Sequence, residues 1–309
     1  MTIIDDQRWL GLLETRATDP EAIGRALATR SSRPLLAADG STFIIAIDHP
    51  ARGMVGVSGQ PFVMADRRDV LERTMTALAD PGVDGVMATP DILDDLALLG
   101  ALDGKVAIGS INRGGLMGSA WELDDQLTAH TPEAIVEQGL DGGKMLLRID
   151  MADKRSRHTI ESCAEWITEL AASKKMAMLE PLPYMTSADG RAVLDTHDDA
   201  LVRCVGIANA LGATSAYTWL KLPATAQVER VMAATSLPGL ILGGTPGPDP
   251  ETAFDEWRRA MAVANVRGLV VGRSLLYPPD GDVATAVAIA ADIVHPSLPV
   301  SGTGRDATS

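Results

Sequence analysis

Eight short apolar runs, spaced about 32 residues apart and separated by helical patterns, constrain this chain more than any other feature. They are FIIAI (43–47), DGVMAT (84–89), VAIGS (106–110), KMLLRI (144–149), MAMLE (176–180), YTWLKL (217–222), GLILGG (239–244) and GLVVGR (268–273). Most are continuous rather than alternating, and Gly, Pro, Asp or Asn bounds them, as expected of parallel strands buried on both faces. Amphipathic stretches at 66–79, 159–173, 198–211 and 250–264 fall between them. Asp198 and Asp199 open one of these, where the helix dipole favours acids. Gly212 is placed to end a helix. A (β/α)8 barrel uses roughly 31 residues per unit, so the spacing predicts an α/β fold: a single (β/α)8 TIM barrel with an N-terminal helical extension. The expected division is a helical extension over 1–40 covering the barrel's bottom or side, the barrel over 41–296 and a flexible tail over 297–309.

A doubly wound sheet is the competing architecture. It would place a glycine fingerprint after the first strand, but that run ends in Asp48-His49-Pro50. No G-x-G-x-x-G follows any strand, and no phosphate loop of the Walker type occurs. Hydrophobic residues make up 46% of the chain and aromatics only 4%, which suits alternating α/β structure better than a β-sandwich. The net charge is −14, and no basic tract offsets it. Nucleic acid and anionic membrane surfaces are therefore poor partners. Two cysteines, Cys163 and Cys204, with no metal-type spacing, fit a reducing compartment. The opening MTIIDDQRWLG has acids where a signal peptide has bases, and no apolar run is long enough to span a bilayer, so a cytoplasmic protein is expected.

In such a barrel the chemistry sits at the C-terminal ends of the strands. Those ends supply Asp48 and His49, then Asn112, Arg113 and Gly114, then Lys144, Arg148 and Asp150. Glu180 and Tyr184, Lys221, Gly243-Gly244 and Gly272-Arg273 follow. Lys144 and Lys221 stand out, because an ammonium inside an apolar strand is costly to bury. Side-chain alternation puts Lys144, Leu146 and Arg148 on one face and Tyr217, Trp219 and Lys221 on another. If both faces point inward, two lysines meet near Glu180, with Lys144 several residues deeper than Lys221. Schiff-base chemistry needs such a group: lowering a lysine by about three pH units takes about 4 kcal/mol, which desolvation and a second cation supply. Taken singly, each lysine could snorkel outward instead.

Gly243, Gly244, Gly272 and Arg273 fit the barrel phosphate grip, built from backbone N–H groups of the last two loops, or serve only as turn residues. Five scattered histidines form no metal-ligand group, so no metal site is expected. Lys154, Arg155, Arg157 and His158 read as a solvated loop after the fourth strand, or as a hold for a second anionic group. The glycine-bearing loop at 50–62 could serve as a mobile lid, which the sequence alone does not decide.

The ordered series FIIAIDHPARG, GGKMLLRID, MLEPL, YTWLKLPAT, LILGG and VVGRSLL resembles the class I, Schiff-base aldolases of the DeoC/LacD/DhnA type over residues 40 to 280. Its motifs are most similar to those of tagatose-bisphosphate-like and deoxy-keto-gluconate-phosphate aldolases. The resemblance implies that Lys221 is the Schiff-base nucleophile and that Glu180 and Lys144 are its acid/base and electrostatic partners. Asp48 would orient substrate hydroxyls. His49, Arg148, Gly243, Gly244, Gly272 and Arg273 would hold the substrate and its phosphate. It implies a carbon–carbon lyase on a phosphorylated sugar or sugar acid, with no cofactor or metal, dihydroxyacetone phosphate as product, and a homo-oligomer. Two departures bear on substrate identity. Arg148-Ile149-Asp150 stands where relatives carry tyrosines, and Gly-Gly-Thr-Pro-Gly-Pro (243–248) where they carry Ser-Ala-Gly or Ser-Ser-Gly. Two other readings stay open: a barrel isomerase or epimerase using Glu180 as base, and a non-catalytic sugar-phosphate-binding barrel.

Overall fold

The computed structural model describes residues 3–57, 59–244 and 249–296. The segment at 245–248 and the tail at 297–309 lie outside the described residues, as does Ser58 within the 50–62 loop. The strands are β1 (Thr42–Ile47), β2 (Gly85–Ala88), β3 (Val106–Ser110), β4 (Gly142–Ile149), β5 (Met176–Thr186), β6 (Ala192–Leu194), β7 (Thr218–Pro223), β8 (Gly239–Leu242) and β9 (Val266–Val271). All but β6 are parallel, in the order β4-β3-β2-β1-β9-β8-β7-β5. Pairing of β4 with β5, from Gly142 opposite Met176 to Ile149 opposite Pro183, closes the ring. The chain is a single (β/α)8 barrel.

Two helices, α1 (Asp6–Thr18) and α2 (Glu21–Thr29), precede the first strand. Between strands run α3 (Arg67–Leu78), α4 (Pro90–Leu98), α5 (Pro132–Glu137), α6 (Arg155–Ala172), α7 (Asp198–Ala208), α8 (Val228–Met232) and α9 (Pro250–Met261). After the last strand come α10 (Arg273–Leu276) and α11 (Val283–Val294). Asp5 caps α1 by accepting from Arg8 N at 2.8 Å. Helix α2 packs against α4. Arg16 pairs with Asp95 of α4 at 2.5 Å, and Arg30 donates to the Lys105 carbonyl just before β3 at 3.0 Å. The prelude therefore lies against the side of the barrel and reaches its lower rim.

Alternation along each strand sorts the residues into two cores. Phe43, Ile45 and Ile47 of β1 face outward into the layer shared with the helices. Ile44, Ala46, Met87, Val106, Ile108, Met176, Met178, Leu240 and Val270 fill the interior instead, with Trp219 packed against them. Burying each large apolar side chain stabilises by about 1.5–3 kcal/mol, so this plug makes the lower barrel solid. The polar inward positions are left at the upper end.

Several local expectations are corrected. Helix α7 stops at Ala208 with Asn209 as its cap, and Gly212 turns the chain, at φ +81°, only later. Helix α6 begins four residues earlier than its apolar pattern, so the basic group after β4 is no loop: Lys154 caps the helix and Arg155, Arg157 and His158 form its first turn. The fifth strand runs on through Pro181 and Pro183 into a hairpin with β6, which the prolines disguise in the sequence. Among the described residues, no helix is long and apolar enough to cross a membrane.

Candidate active site

The inward positions of β4, β5 and β7 beyond the apolar plug open into a cavity of about 590 Å³ at the C-terminal ends of the strands. Lys144, Leu146 and Arg148 line it from β4, Glu180, Leu182 and Tyr184 from β5, and Lys221 and Pro223 from β7. The β5–β6 hairpin forms one wall, and the loop after β3 contributes Met117, Gly118 and Glu122. Register fixes the heights. Lys144 lies opposite Met178, and Met178 opposite Trp219. Glu180 and Lys221 are each two residues further on, so Lys144 sits one inward-facing layer below Lys221 rather than several residues below it.

Glu180 joins the two lysines. Lys221 Nζ donates to Glu180 Oε1 at 2.8 Å, and Lys144 Nζ lies 2.5 Å from Glu180 Oε2. Lys144 also donates to Asp48 Oδ2 at 3.3 Å. Ser110 Oγ donates to the same oxygen at 3.0 Å, and Arg113 pairs with it as well. All four groups of the Asp48–Lys144–Glu180–Lys221 chain are buried. Burial pushes the Lys144 ammonium down to about 8, against the attraction of Asp48 and Glu180. Burial works to raise Glu180, but the two ammonium groups outweigh it and hold the carboxyl down to about 2. Asp48 likewise stays well below the usual carboxylate range: Arg113 and Lys144 overcome its burial.

The rim formed by β8, β9 and β1 carries a second set of groups. Gly243, Gly244, Gly272, Arg273 and His49 line the cavity there. Gly272 is dictated by packing: a Cβ at that position would lie 2.0 Å from the Ala46 carbonyl of β1. Gly244 adopts φ +65°, which favours glycine. Arg273 opens α10. Among the described residues, Arg273 Nε, Ser274 Oγ and His49 Nδ1 are buried without a hydrogen-bond partner. Burial and the charges of Arg273, Lys221 and Arg113 push His49 down to about 3, so its imidazole is neutral. A half-buried arginine with a free Nε–H, on the same rim as an unpartnered hydroxyl and a neutral imidazole, is a set of groups that accepts a phosphate.

Arg148 points into the same cavity but is heavily engaged. It donates to Glu122 Oε1 at 2.8 Å, to the Gly115 carbonyl at 2.9 Å and to Asp125 Oδ2 at 3.3 Å, and its guanidinium lies over the Tyr184 ring. Arg52, from the loop after β1, joins this network through Asp125, the Gly115 carbonyl (2.7 Å) and the Asn112 carbonyl (2.9 Å). The start of the 50–62 loop is thus pinned to the loop after β3 rather than free. Sequence reasoning did not find Arg52, Glu122 or Asp125, and it placed Arg113 among the strand-end residues without a role. Asp150 turns away from the cavity, its carboxylate accepting from Ala152 N and Thr186 Oγ1. Lys154, Arg155, Arg157 and His158 do not line the cavity: Arg155 pairs with Asp153, and Arg157 with Glu161. No group of three or more His, Cys, Asp or Glu side chains suited to a metal ion occurs among the described residues.

A family model described as Cgl0159-like matches residues 40–291 of the chain. No curated protein matches. The crystal structure of Cgl0159 from Corynebacterium glutamicum is 45% identical, covers 96% of this chain and 100% of its own, and superposes with a TM-score of 0.94. An archaeal fructose-1,6-bisphosphate aldolase, solved with its catalytic lysine bound covalently to the carbinolamine intermediate, is 18% identical, with 88% and 99% covered and a TM-score of 0.63. A fructose-bisphosphate aldolase from Slackia heliotrinireducens is 12% identical, with 89% and 92% covered and the same TM-score of 0.63. The last two share the fold. The chain belongs to the Cgl0159-like family.

Proposed function

We propose that this member of the Cgl0159-like family is a metal-independent class I aldolase, forming and cleaving a carbon–carbon bond in a phosphorylated sugar or sugar acid through a Schiff base on Lys221. The observation that carries the reading is Glu180, shared between Lys221 at 2.8 Å and Lys144 at 2.5 Å inside a closed polar layer. A carboxylate so placed can accept a proton from one amine while the other stays charged. Lys221 has one carboxylate partner and sits in the upper layer. Lys144 has two and sits below it. Lys221 is therefore the better nucleophile and Lys144 the better electrostatic partner.

In this reading the neutral Lys221 amine attacks the substrate carbonyl carbon, forming C–N as the carbonyl oxygen takes up a proton. Loss of water leaves an iminium. A base then removes the proton of the hydroxyl on the carbon to be released. The C–C bond breaks toward the iminium, an aldehyde departs and an enamine remains. Protonation of its carbon and hydrolysis release the keto product, dihydroxyacetone phosphate, and restore the amine. The positive iminium supplies the electron sink that a Lewis-acid metal would otherwise provide. Asp48, charged and held by three donors, orients substrate hydroxyls. The rim of Arg273, Gly243, Gly244, Gly272 and His49 receives the phosphate, and Arg148 the far part of the substrate. The fold shared with Schiff-base aldolases supports the reading. It goes with a cytoplasmic homo-oligomer whose ligand is a small phosphorylated sugar.

The test is intact-mass analysis after borohydride treatment with a panel of ketose phosphates. The expected result is a stable mass increase equal to the reduced adduct. Turnover with no trapping would favour an isomerase or epimerase, and binding with neither would leave a sugar-phosphate-binding barrel.

A further inference from the structure

Arg113 has no part in the covalent chemistry, yet it is almost wholly buried at the centre of the site. Its guanidinium holds Asp48 twice. Nη1 donates to the Asp48 backbone carbonyl at 2.9 Å and pairs with the Asp48 carboxylate. Nε donates to the Asn112 carbonyl at 2.9 Å. Asn112 is in turn locked to β4: its Nδ2 donates to the Leu146 carbonyl at 2.7 Å, and its Oδ1 accepts from Leu146 N at 2.8 Å. The grip on Asp48 is thereby braced against the strand that carries Lys144.

The hydrogen bonds of Lys144 are unequal. Its ammonium lies 2.5 Å from Glu180 and 3.3 Å from Asp48, although both are buried carboxylates. The Asp48 oxygen nearest Lys144 already receives Ser110 at 3.0 Å and Arg113. The groups that face Lys144 are Asp48 after β1, Ser110 at the end of β3, Arg113 after β3, Glu180 on β5 and Lys221 on β7. Lys221 repels the ammonium too but takes the other oxygen of Glu180, whereas Arg113 repels it and competes for the very Asp48 oxygen that Lys144 reaches.

We propose that Arg113 is a positioning residue for the catalytic layer: by gripping Asp48 through its carbonyl and its carboxylate together, it turns Lys144 toward Glu180. The consequence for catalysis rests on the Schiff-base reading, while the effect on Lys144 does not. Nη1 reaches the Asp48 carbonyl and carboxylate while Nε of the same rigid plane holds the Asn112 carbonyl, so the guanidinium fixes Asp48 against a braced support. Without the guanidinium, Asp48 turns to Lys144, and the ammonium holds its proton more tightly.

The chain has only six lysines, so [13Cε]lysine incorporation makes the titration of Lys144 readable by NMR, with Lys144→Met assigning its signal. In the wild type this signal should titrate near 8. In Arg113→Met it should move upward by about one pH unit. In Arg113→Lys the positive charge remains and the midpoint should return toward the wild-type value. Arg113→Gln serves if the methionine variant does not fold. A midpoint unmoved in a folded Arg113→Met or Arg113→Gln protein would overturn the proposal, as would Arg113→Lys shifting as far as the neutral variants. Borohydride trapping with dihydroxyacetone phosphate supplies the catalytic arm: at pH 7 the neutral variants should trap more slowly, and Arg113→Lys should recover much of the rate. Should the wild type trap nothing, the Schiff-base reading fails, and the Lys144 titration still decides the role of Arg113.

Discussion

Lys221 donates to Glu180 across 2.8 Å, joining residues 41 positions apart in sequence on barrel strands that pair side by side. Because Glu180 spends its other oxygen on Lys144, the two lysines are distinguished by their surroundings rather than by type. The first prediction follows from that difference. Lys221→Ala should abolish borohydride-trapped mass. Lys144→Ala should still form adduct while turnover falls by about 10²–10⁴-fold, the usual worth of a proton-transfer partner. Lys221→Arg should also fail, because a guanidinium stays protonated and is no nucleophile at neutral pH. Peptide mapping that located the adduct on Lys144 would reverse the assignment.

The barrel was legible because buried parallel strands leave continuous apolar runs whose spacing survives in sequence. Residues 106–110 match β3 end for end, the fifth strand runs six residues past its predicted end at Glu180, and the other runs differ by one or two residues at their margins. Lys144, Glu180 and Lys221 were legible for the opposite reason: a charge inside such a run is costly unless other charges meet it. The Arg52–Asp125–Arg148–Glu122 network was not legible. Its members come from the loops after β1 and β3 as well as from β4, and loop residues carry no periodicity that would bring them together. The β5–β6 hairpin was hidden by prolines, and Arg113 by its neighbours, since nothing in Asn112-Arg113-Gly114 signals that the guanidinium turns back to Asp48.

Arg273 offers a second test. Its Nε is buried without a partner among the described residues, beside Ser274 and the neutral His49. A charge-assisted hydrogen bond to a phosphate is worth about 1.5–3 kcal/mol. Arg273→Ala should therefore raise KM for a phosphorylated substrate about 10- to 100-fold, and far less for the dephosphorylated analogue. Some phosphate preference should persist through the backbone N–H groups of the rim. Steady-state kinetics on the two substrates decides it, and equal losses on both would remove Arg273 from the phosphate site.

Metal dependence separates the two ways of stabilising the carbanion. An iminium on Lys221, with the Lys144 ammonium nearby, places positive charge where a Lewis acid would act. Activity should stay within about twofold after prolonged EDTA treatment and dialysis, since no step of the proposed reaction passes through an ion. Loss of activity restored by added Zn²⁺ would overturn the class I assignment and direct attention to His49 as a ligand.

The last prediction concerns the opposite end of the barrel. His295 caps the C-terminus of α11, with Nδ1 2.6 Å from Asp39 and Nε2 3.0 Å from Asp84. Asp84 also accepts from Phe43 N of β1 at 2.7 Å and pairs with Arg33 at 2.5 Å. The imidazole thus ties the last helix to the entry of the first strand. Two carboxylates on its two nitrogens call for a donor at each, which only the protonated ring provides. Burial opposes the charge, but the hydrogen bonds to Asp84 and Asp39 outweigh it and raise His295 above its ordinary value. A raised folded value means stability that is complete below the unfolded value near 6.5 and is lost as pH rises through the raised one. Asp39 is held low by the same contact, so its contribution fades only in acid. His295→Gln should lower Tm by on the order of 3 °C at pH 6, and the gap should close as pH climbs through the raised value. Thermal unfolding of both proteins from pH 5.5 to 9 measures this. A gap that stays constant or widens with pH would show that the imidazole acts there through packing and not through its charge.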